Sequence, residues 1–314
     1  MIPATRPART IRGMSAILVP HTADGAIDWP AFEAHVARTH DVGLTPAVNM
    51  DTGYVQLLPI DVRQKVLDIA SSVTDGEFVA GAFVADEAGD TFDLAAFVDV
   101  ARPIRAAGGT PVVFPNHGLN ALDEGGWVEA MRAFGDESGP FIGFELGAMF
   151  VPYGRIFSLD AYEGLLAVPQ CFGAKHSSLD RVAEWDRLAL RDRVRPDFAV
   201  FTGNDLAIDM VAYGSDYLLG LSTMAPDLFA LRDRLWARDD PRFWECNDLL
   251  QYLGMFTFRD PVPAYRHDAA MVLELRGWAS SDAVPEGAPR RPDSDRAVLA
   301  DIVGRIEAMV EELS

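Results

Sequence analysis

Two lysines, Lys65 and Lys175, stand in a chain of 314 residues, although lysine is ordinarily among the commonest residues. Arginine carries nearly all the other positive charge. Arginine suits a solvated surface equally well, but its guanidinium keeps its proton and cannot act as an amine nucleophile. Lys175 closes the apolar run Cys171-Phe-Gly-Ala-Lys175. An amine at the end of a buried strand, desolvated by Phe172 and its neighbours, is biased towards its neutral form. A neutral amine can condense with a carbonyl to give a Schiff base. The plainer reading is a strand-end lysine whose amine snorkels to water. Lys65, within Asp61-Val-Arg-Gln-Lys65-Val-Leu, reads as a solvated helix residue.

The elements that must hold Lys175 follow from the hydrophobic pattern. Short apolar runs at 14–19, 45–49, 78–84, 111–114, 141–146, 171–175, 198–202 and 217–221 alternate with helical stretches at 29–42, 60–72, 92–107, 126–134, 159–166, 179–190 and 205–213. Alternating strands and helices imply a parallel sheet, and apolar strands imply one covered on both faces. Eight such units fit a (β/α)₈ TIM barrel. A doubly wound open sheet is the alternative, but no Gly-rich dinucleotide fingerprint follows any strand. Beyond about residue 224 the helical runs 228–237, 243–256, 262–275 and 295–313 follow one another without strands. The expected organisation is a barrel over 1–224 and a C-terminal helical extension over 225–314.

Barrel enzymes carry their sites at the C-terminal strand ends. Those ends are rich in donors and acceptors: Asp51-Thr52-Gly53-Tyr54, Asn116-His117, Glu145, Lys175-His176-Ser177, Asn204-Asp205 and Ser222-Thr223. Asp51 is either a general base or a turn residue capping its own loop. His117 can shuttle protons near neutral pH or be an ordinary loop histidine. His176 should face away from Lys175 if the strand continues.

These segments, in order, resemble the dihydrodipicolinate synthase / N-acetylneuraminate lyase family of class I aldolases. Gly13-Met-Ser-Ala-Ile-Leu-Val-Pro20 with Asp24-Gly-Ala-Ile-Asp28 looks like the family's first strand and turn. Asp51-Thr-Gly-Tyr54 stands where the family has "TTGE". Gly173-Ala-Lys175-His-Ser-Ser178 looks like "GIKDSS", whose lysine forms the imine. Thr202-Gly-Asn-Asp205 looks like "SGDD", and Gly220-Leu-Ser-Thr223 looks like "GxIS". The resemblance implies a (β/α)₈ barrel, a Schiff base at Lys175 and a homotetramer or homodimer. Thr52 and Gly53 would offer backbone N–H groups to an anion, with Tyr54 as a wall or phenol donor. Ser177, Asn204 and Ser222 would help to bind substrate.

The chain departs from the family at its proton relay. Asp51 replaces the family's first threonine. The family tyrosine after the fifth strand falls on Phe144 or Glu145, neither of them a phenol. Gly173 and Lys175 share one strand face; if Gly143 and Glu145 match it, Glu145 points into the barrel mouth. Facing outward it would need a partner to offset burial. Glu145 is therefore expected near Lys175, as acid/base or ion-pair partner. Tyr153 could reach in from the following loop as a substitute phenol. Arg155 could bind a carboxylate bidentately or simply bond loop carbonyls. His117 falls where many family members have a tyrosine at a subunit interface.

A net charge of −20 argues against nucleic acid as a partner. Cys171 and Cys246 make no disulfide framework and suit reduced thiols in a cytoplasmic protein. No apolar run approaches a membrane span, and the N-terminus lacks the apolar core of a signal peptide. His35 and His40, five residues apart, do not form a metal pair on one helix face, and no motif calls for a cofactor. The expected function is a Schiff-base lyase of aldolase, hydratase-aldolase or dehydratase type. Its substrate would be a 2-oxo acid or related small carbonyl compound. The altered relay argues against dihydrodipicolinate synthase itself. A non-catalytic ligand-binding relative and a barrel hydrolase using the acidic cluster without an imine are the alternatives.

Overall fold

The computed structural model describes residues 3–313. Eight parallel strands close into a barrel in chain order. They are β1 (Gly13–Ala16), β2 (Thr45–Val48), β3 (Val79–Ala82), β4 (Thr110–Val113), β5 (Phe141–Leu146), β6 (Cys171–Ser177), β7 (Ala199–Thr202) and β8 (Asp216–Leu219). The eight expected apolar runs coincide with these strands to within a few residues. Strand alternation sends Met14, Ala16, Ala47, Val79, Val112, Ile142, Phe144, Ala199, Phe201 and Leu218 into one buried cluster inside the barrel. This packed interior closes the barrel as a pore and leaves chemistry to its rim.

The helices are α1 (Trp29–Asp41), α2 (Ile60–Thr74), α3 (Leu94–Ala106), the single-turn α4 (His117–Asn120), α5 (Glu124–Ser138), α6 (Leu159–Leu166), α7 (Arg181–Val194), α8 (Pro226–Ala237), α9 (Phe243–Thr257), α10 (Tyr265–Leu275) and α11 (Asp295–Leu313). Asp93, Asp123, Ser158 and Asp180 cap α3, α5, α6 and α7 through side-chain oxygens, satisfying N–H groups that a helix start leaves unpaired. The expected α-helix over 205–213 is instead a 3₁₀ segment, Ile208–Tyr213.

The residues after β8 form helices, as the pattern implied. α8 packs on β1 and α1 on one side and on α9 and α11 on the other. Leu228, Phe229, Leu235, Leu250, Leu253, Leu273, Leu299, Ile302 and Ile306 join the C-terminal helices in one core. That core also contains Tyr217, Leu219 and Leu221 from the end of β8, so α10 is held against the barrel mouth. No helix among the described residues is long and apolar enough to cross a membrane.

Candidate active site

β5 and β6 pair along their whole length, but with one register shift. Phe141 pairs with Cys171 and Ile142 with Gly173, so Phe172 is an extra residue in β6. From there Phe144 lies opposite Lys175, and Glu145 opposite His176. Neighbouring residues on parallel strands share a face. Lys175 and Phe144 therefore point inward, while Glu145 and His176 point outward.

Lys175 is 6% exposed. Its Nζ lies 4.5 Å from the centroid of the Phe144 ring, and it forms no ion pair within 4.0 Å among the described residues. Burial lowers its pKa, and the charges of Asp51 and Asp205 offset only part of that effect. Gly203, at the end of β7, makes room for it: a Cβ there would overlap Ser177 Oγ and come within 2.8 Å of Lys175 Cε.

The chamber around the amine is bordered by Asp51, Thr52, Leu146, Phe150, Ser177, Gly203, Asp205, Gly220, Phe258 and Tyr265. Its free space is about 10 Å³, room for roughly one water molecule. A second chamber of about 100 Å³ shares Asp51, Leu146, Phe150 and Tyr265 with it, and adds Gln56, Phe83, Phe114, Val151, Tyr153, Pro263 and Arg266. The two together form a cleft with apolar walls and a few polar groups, the usual character of a small-molecule site.

Asp205 is a buried carboxyl that accepts the Leu221 N–H (2.8 Å). Burial raises its pKa to about 7, with Asp51 adding to the rise and Leu221 and Lys175 opposing it. It therefore exchanges a proton near neutral pH. The half-buried Asp51 accepts from Tyr265 Oη at 3.2 Å, and the same phenol lies 2.8 Å from Thr52 Oγ1. Arg266 borders the outer chamber, donating to the Asp51 carbonyl (3.0 Å) and the Pro263 carbonyl (3.1 Å). Among the described residues it has no carboxylate partner within 4.0 Å, so its charge is available to a ligand.

Several expected site residues lie elsewhere. Glu145 does not face Lys175. Behind the barrel wall it takes Arg187 in a fork, with both bonds at 2.7 Å, and also His176 Nδ1 (3.0 Å) and the Phe157 N–H (3.0 Å). The extra Phe172 in β6 pairs Glu145 with the outward-facing His176 instead of Lys175, and Arg187 from α7 is the partner that offsets its burial there. Arg155 does not reach the cleft; it donates to the Asn120 and Leu122 carbonyls and packs over Phe157. The Gly53 N–H already donates to the Met50 carbonyl (3.0 Å), so it offers nothing to an anion. A Cβ at Gly53 would meet the Ile17 carbonyl oxygen at 2.9 Å, which accounts for the glycine. Tyr54 is fully buried beneath Arg266, edge-on to His21, and does not border either chamber.

Asn204 serves its own turn, its Oδ1 accepting the Leu206 N–H, whereas its neighbour Asp205 enters the chamber. Ser222 bonds Ser15 and the Leu219 carbonyl within the barrel wall. Tyr153 borders the outer chamber only; burial, with Asp86 and Asp51, raises its pKa. His117 packs on that tyrosine at a tilt of 48°, ring centroids 4.3 Å apart, and its backbone N–H donates to Asp86 (2.9 Å). Asp51, Thr52, Ser177 and Lys175 do converge. Asp205, expected only as part of the strand-end segment Asn204-Asp205, joins them in place of Asn204, and Tyr265 and Arg266 join them without having been expected. Lys65 lies exposed on α2 with its amine over the Trp29 ring.

No family model matches this chain, and no curated protein matches its sequence. Solved structures do match its fold. Dihydrodipicolinate synthase from Thermotoga maritima superposes with a TM-score of 0.79 at 17% identity, over 95% of this chain and 99% of that one. The chloride-inhibited dihydrodipicolinate synthase from Acinetobacter baumannii, solved with pyruvate, gives 0.76 at 17% identity, over 95% and 99%. A catalytic-lysine mutant of sialic acid aldolase from Ruminococcus gnavus gives 0.75 at 15% identity, over 97% and 98%. At these identities the shared property is the fold: a (β/α)₈ barrel with the same C-terminal helices, end to end.

Proposed function

We propose that this chain is a divergent member of the dihydrodipicolinate synthase / N-acetylneuraminate lyase family and acts as a class I lyase through Lys175. The observation that carries this reading is the amine itself. It is buried at the C-terminal mouth of the barrel, with no ion pair within 4.0 Å among the described residues, and it feels the charges of Asp51 and Asp205. Burial favours the neutral nucleophile. The amine attacks a ketone carbon, water departs, and the protonated imine then withdraws electrons from a bond β to it. Asp205, which titrates near neutral pH, and Asp51 are placed to move protons beside it. The dihydrodipicolinate synthase of the same fold solved with pyruvate, and the sialic acid aldolase with its catalytic lysine, support an oxo-acid substrate and a lysine nucleophile.

Arg266 supports a carboxylate on the substrate, in the role the sequence suggested for Arg155. Phe83, Phe114, Leu146, Phe150 and Val151 favour an apolar remainder over a polyol. The inner chamber is small, so a substrate carbonyl reaches the amine by displacing Phe150, which stands on the loop after β5. Dihydrodipicolinate synthesis itself is disfavoured because the strand-five phenol is Phe144 here.

The test is borohydride reduction in the presence of pyruvate, 2-oxobutyrate or phenylpyruvate, followed by intact mass. A stable mass gain of the reduced imine with at least one acid supports the lyase. Ligand-induced thermal stabilisation without any adduct contradicts it and favours a binding protein. Turnover of an ester or amide unaffected by loss of Lys175 favours the hydrolase.

Two further outcomes follow. Arg266→Met should raise KM for carboxylate-bearing substrates about ten- to a hundredfold, the range of a lost charged hydrogen bond. kcat should be nearly unchanged, and carboxylate-free ketones should be unaffected. Gly203→Ala should push the Lys175 side chain aside and slow imine formation about a hundredfold, since small misplacements are costly in catalysis. Its crowding should lower stability by about 1–3 kcal/mol, read from urea unfolding.

A further inference from the structure

Imine formation moves two hydrogens from nitrogen to the departing oxygen, so a class I site needs a group that carries protons between them. The strand neighbour of Lys175 is Phe144, which has no proton to give. Glu145 is committed to Arg187 behind the wall, and Tyr153 borders only the outer chamber. One phenol does border the Lys175 chamber. Tyr265 opens α10, its ring stacked on Phe258 with centroids 4.3 Å apart and planes at 18°. Its Oη is hydrogen-bonded to Thr52 Oγ1 and to Asp51 Oδ2. Gly220, at the end of β8, leaves the space it occupies: a Cβ there would stand 3.1 Å from both Tyr265 Oη and Thr52 Oγ1.

We propose that Tyr265 is the proton carrier of the Lys175 site, so that the C-terminal helical segment supplies a catalytic group to the barrel. This rests on the imine reading above. Starting from the ammonium, one proton passes to Asp51 and the freed amine attacks the carbonyl carbon, sending the π pair to oxygen. Tyr265 gives its hydroxyl proton to that oxygen and recovers one from Asp51. A second hydrogen follows from nitrogen to oxygen by the same route. The C–O bond breaks, water leaves, and the nitrogen lone pair closes the C=N⁺ bond. The sum is ammonium plus ketone giving iminium plus water, with no external acid or base consumed. Burial, and the neighbouring Asp51, push the phenol well above its ordinary range, so at neutral pH it holds its proton until the oxyanion forms.

Tyr265→Phe tests this, because it keeps the ring on Phe258 and removes only the hydroxyl. The full-length protein is mixed with whichever of pyruvate, 2-oxobutyrate or phenylpyruvate traps on the parent, and borohydride quenches at timed intervals give the rate of imine formation. The rate should fall about 10²- to 10⁴-fold, with the dissociation constant of the oxo acid within about threefold of the parent and a preserved thermal midpoint. An unchanged rate in a folded variant overturns the proposal while leaving the imine reading intact. Absence of an adduct on the parent defeats the imine reading itself, a separate result. If Tyr265→Phe does not fold, Asp51→Asn removes the carboxylate from which the phenol recovers its proton. A slowed rate there supports the relay, and an unchanged rate overturns it.

Discussion

Lys175→Met is expected to lose at least about 10⁴-fold in turnover, the scale on which enzymes lose rate when the nucleophile is removed, while the fold gains stability. The two effects share one cause. A buried ammonium with no ion-pair partner within 4.0 Å among the described residues is a cost to the folded state, and the apolar methionine of similar length relieves it. Burial lowers the lysine pKa, so below that lowered value the unfolded chain holds the charge more comfortably. The penalty is full there, shrinks as pH rises, and vanishes above the ordinary lysine value near 10.5. Urea unfolding of parent and variant should therefore differ most below the lowered lysine value and converge towards pH 10.5. A variant less stable than the parent at pH 7 would mean that the amine has a structural partner. Retained turnover would remove Lys175 from the chemistry.

Glu145→Gln is expected to do the reverse: to destabilise strongly while leaving the chemistry of the folded molecules largely intact. Removing the charge leaves Arg187, 3% exposed, buried without its counter-ion, a change that typically costs about 3–5 kcal/mol. Urea midpoints should fall with an unchanged slope. Burial by itself would raise the carboxyl's pKa, but hydrogen bonds from His176 and Arg187, with their charges, bring it down to about 2. A carboxylate with a depressed pKa contributes stability above its ordinary value near 4.5, and that stability is lost as pH falls through about 2. Parent and variant should thus differ fully at pH 7 and approach one another between about pH 4.5 and 2. A Glu145→Met, Arg187→Met double variant should recover much of the loss, since an apolar pair of similar volume often replaces a buried ion pair without penalty. Lost activity with unchanged stability would instead restore Glu145 to the chemistry.

The barrel was legible because each strand is a short apolar run between turn residues, and the lysine was legible because so few others exist. The local sequence cannot register an inserted residue on a neighbouring strand. Phe172, the extra residue of β6, shifts that strand's register by one, so that Phe144 and not Glu145 lies opposite Lys175. The partner of Glu145 was hidden for a related reason. On α7 the buried positions Glu184, Arg187, Leu188 and Arg191 follow the i, i+3, i+4, i+7 spacing of an inward face, yet three of the four are charged. A stripe of charge at core spacing was the available signal, and it is resolved by Arg187 on Glu145 and by Glu184 accepting from Thr202. Tyr265 and Arg266 lie about ninety residues beyond Lys175 in the chain. Only the packing of α10 on the end of β8 brings them to the mouth. At the end of β7, Asn204 and Asp205 were adjacent candidates, and the Asn204–Leu206 turn bond decided that Asp205 faces the amine.

With only two lysines in the chain, the position of a trapped imine identifies the reacting amine directly. The protein is reduced with borohydride in the presence of a 2-oxo acid that it traps, then digested and sequenced by mass spectrometry. The adduct is expected on the Cys171–Ser177 strand, at Lys175, with Lys65 unmodified. Modification of Lys65 instead, or an adduct that persists in Lys175→Met, would contradict this assignment.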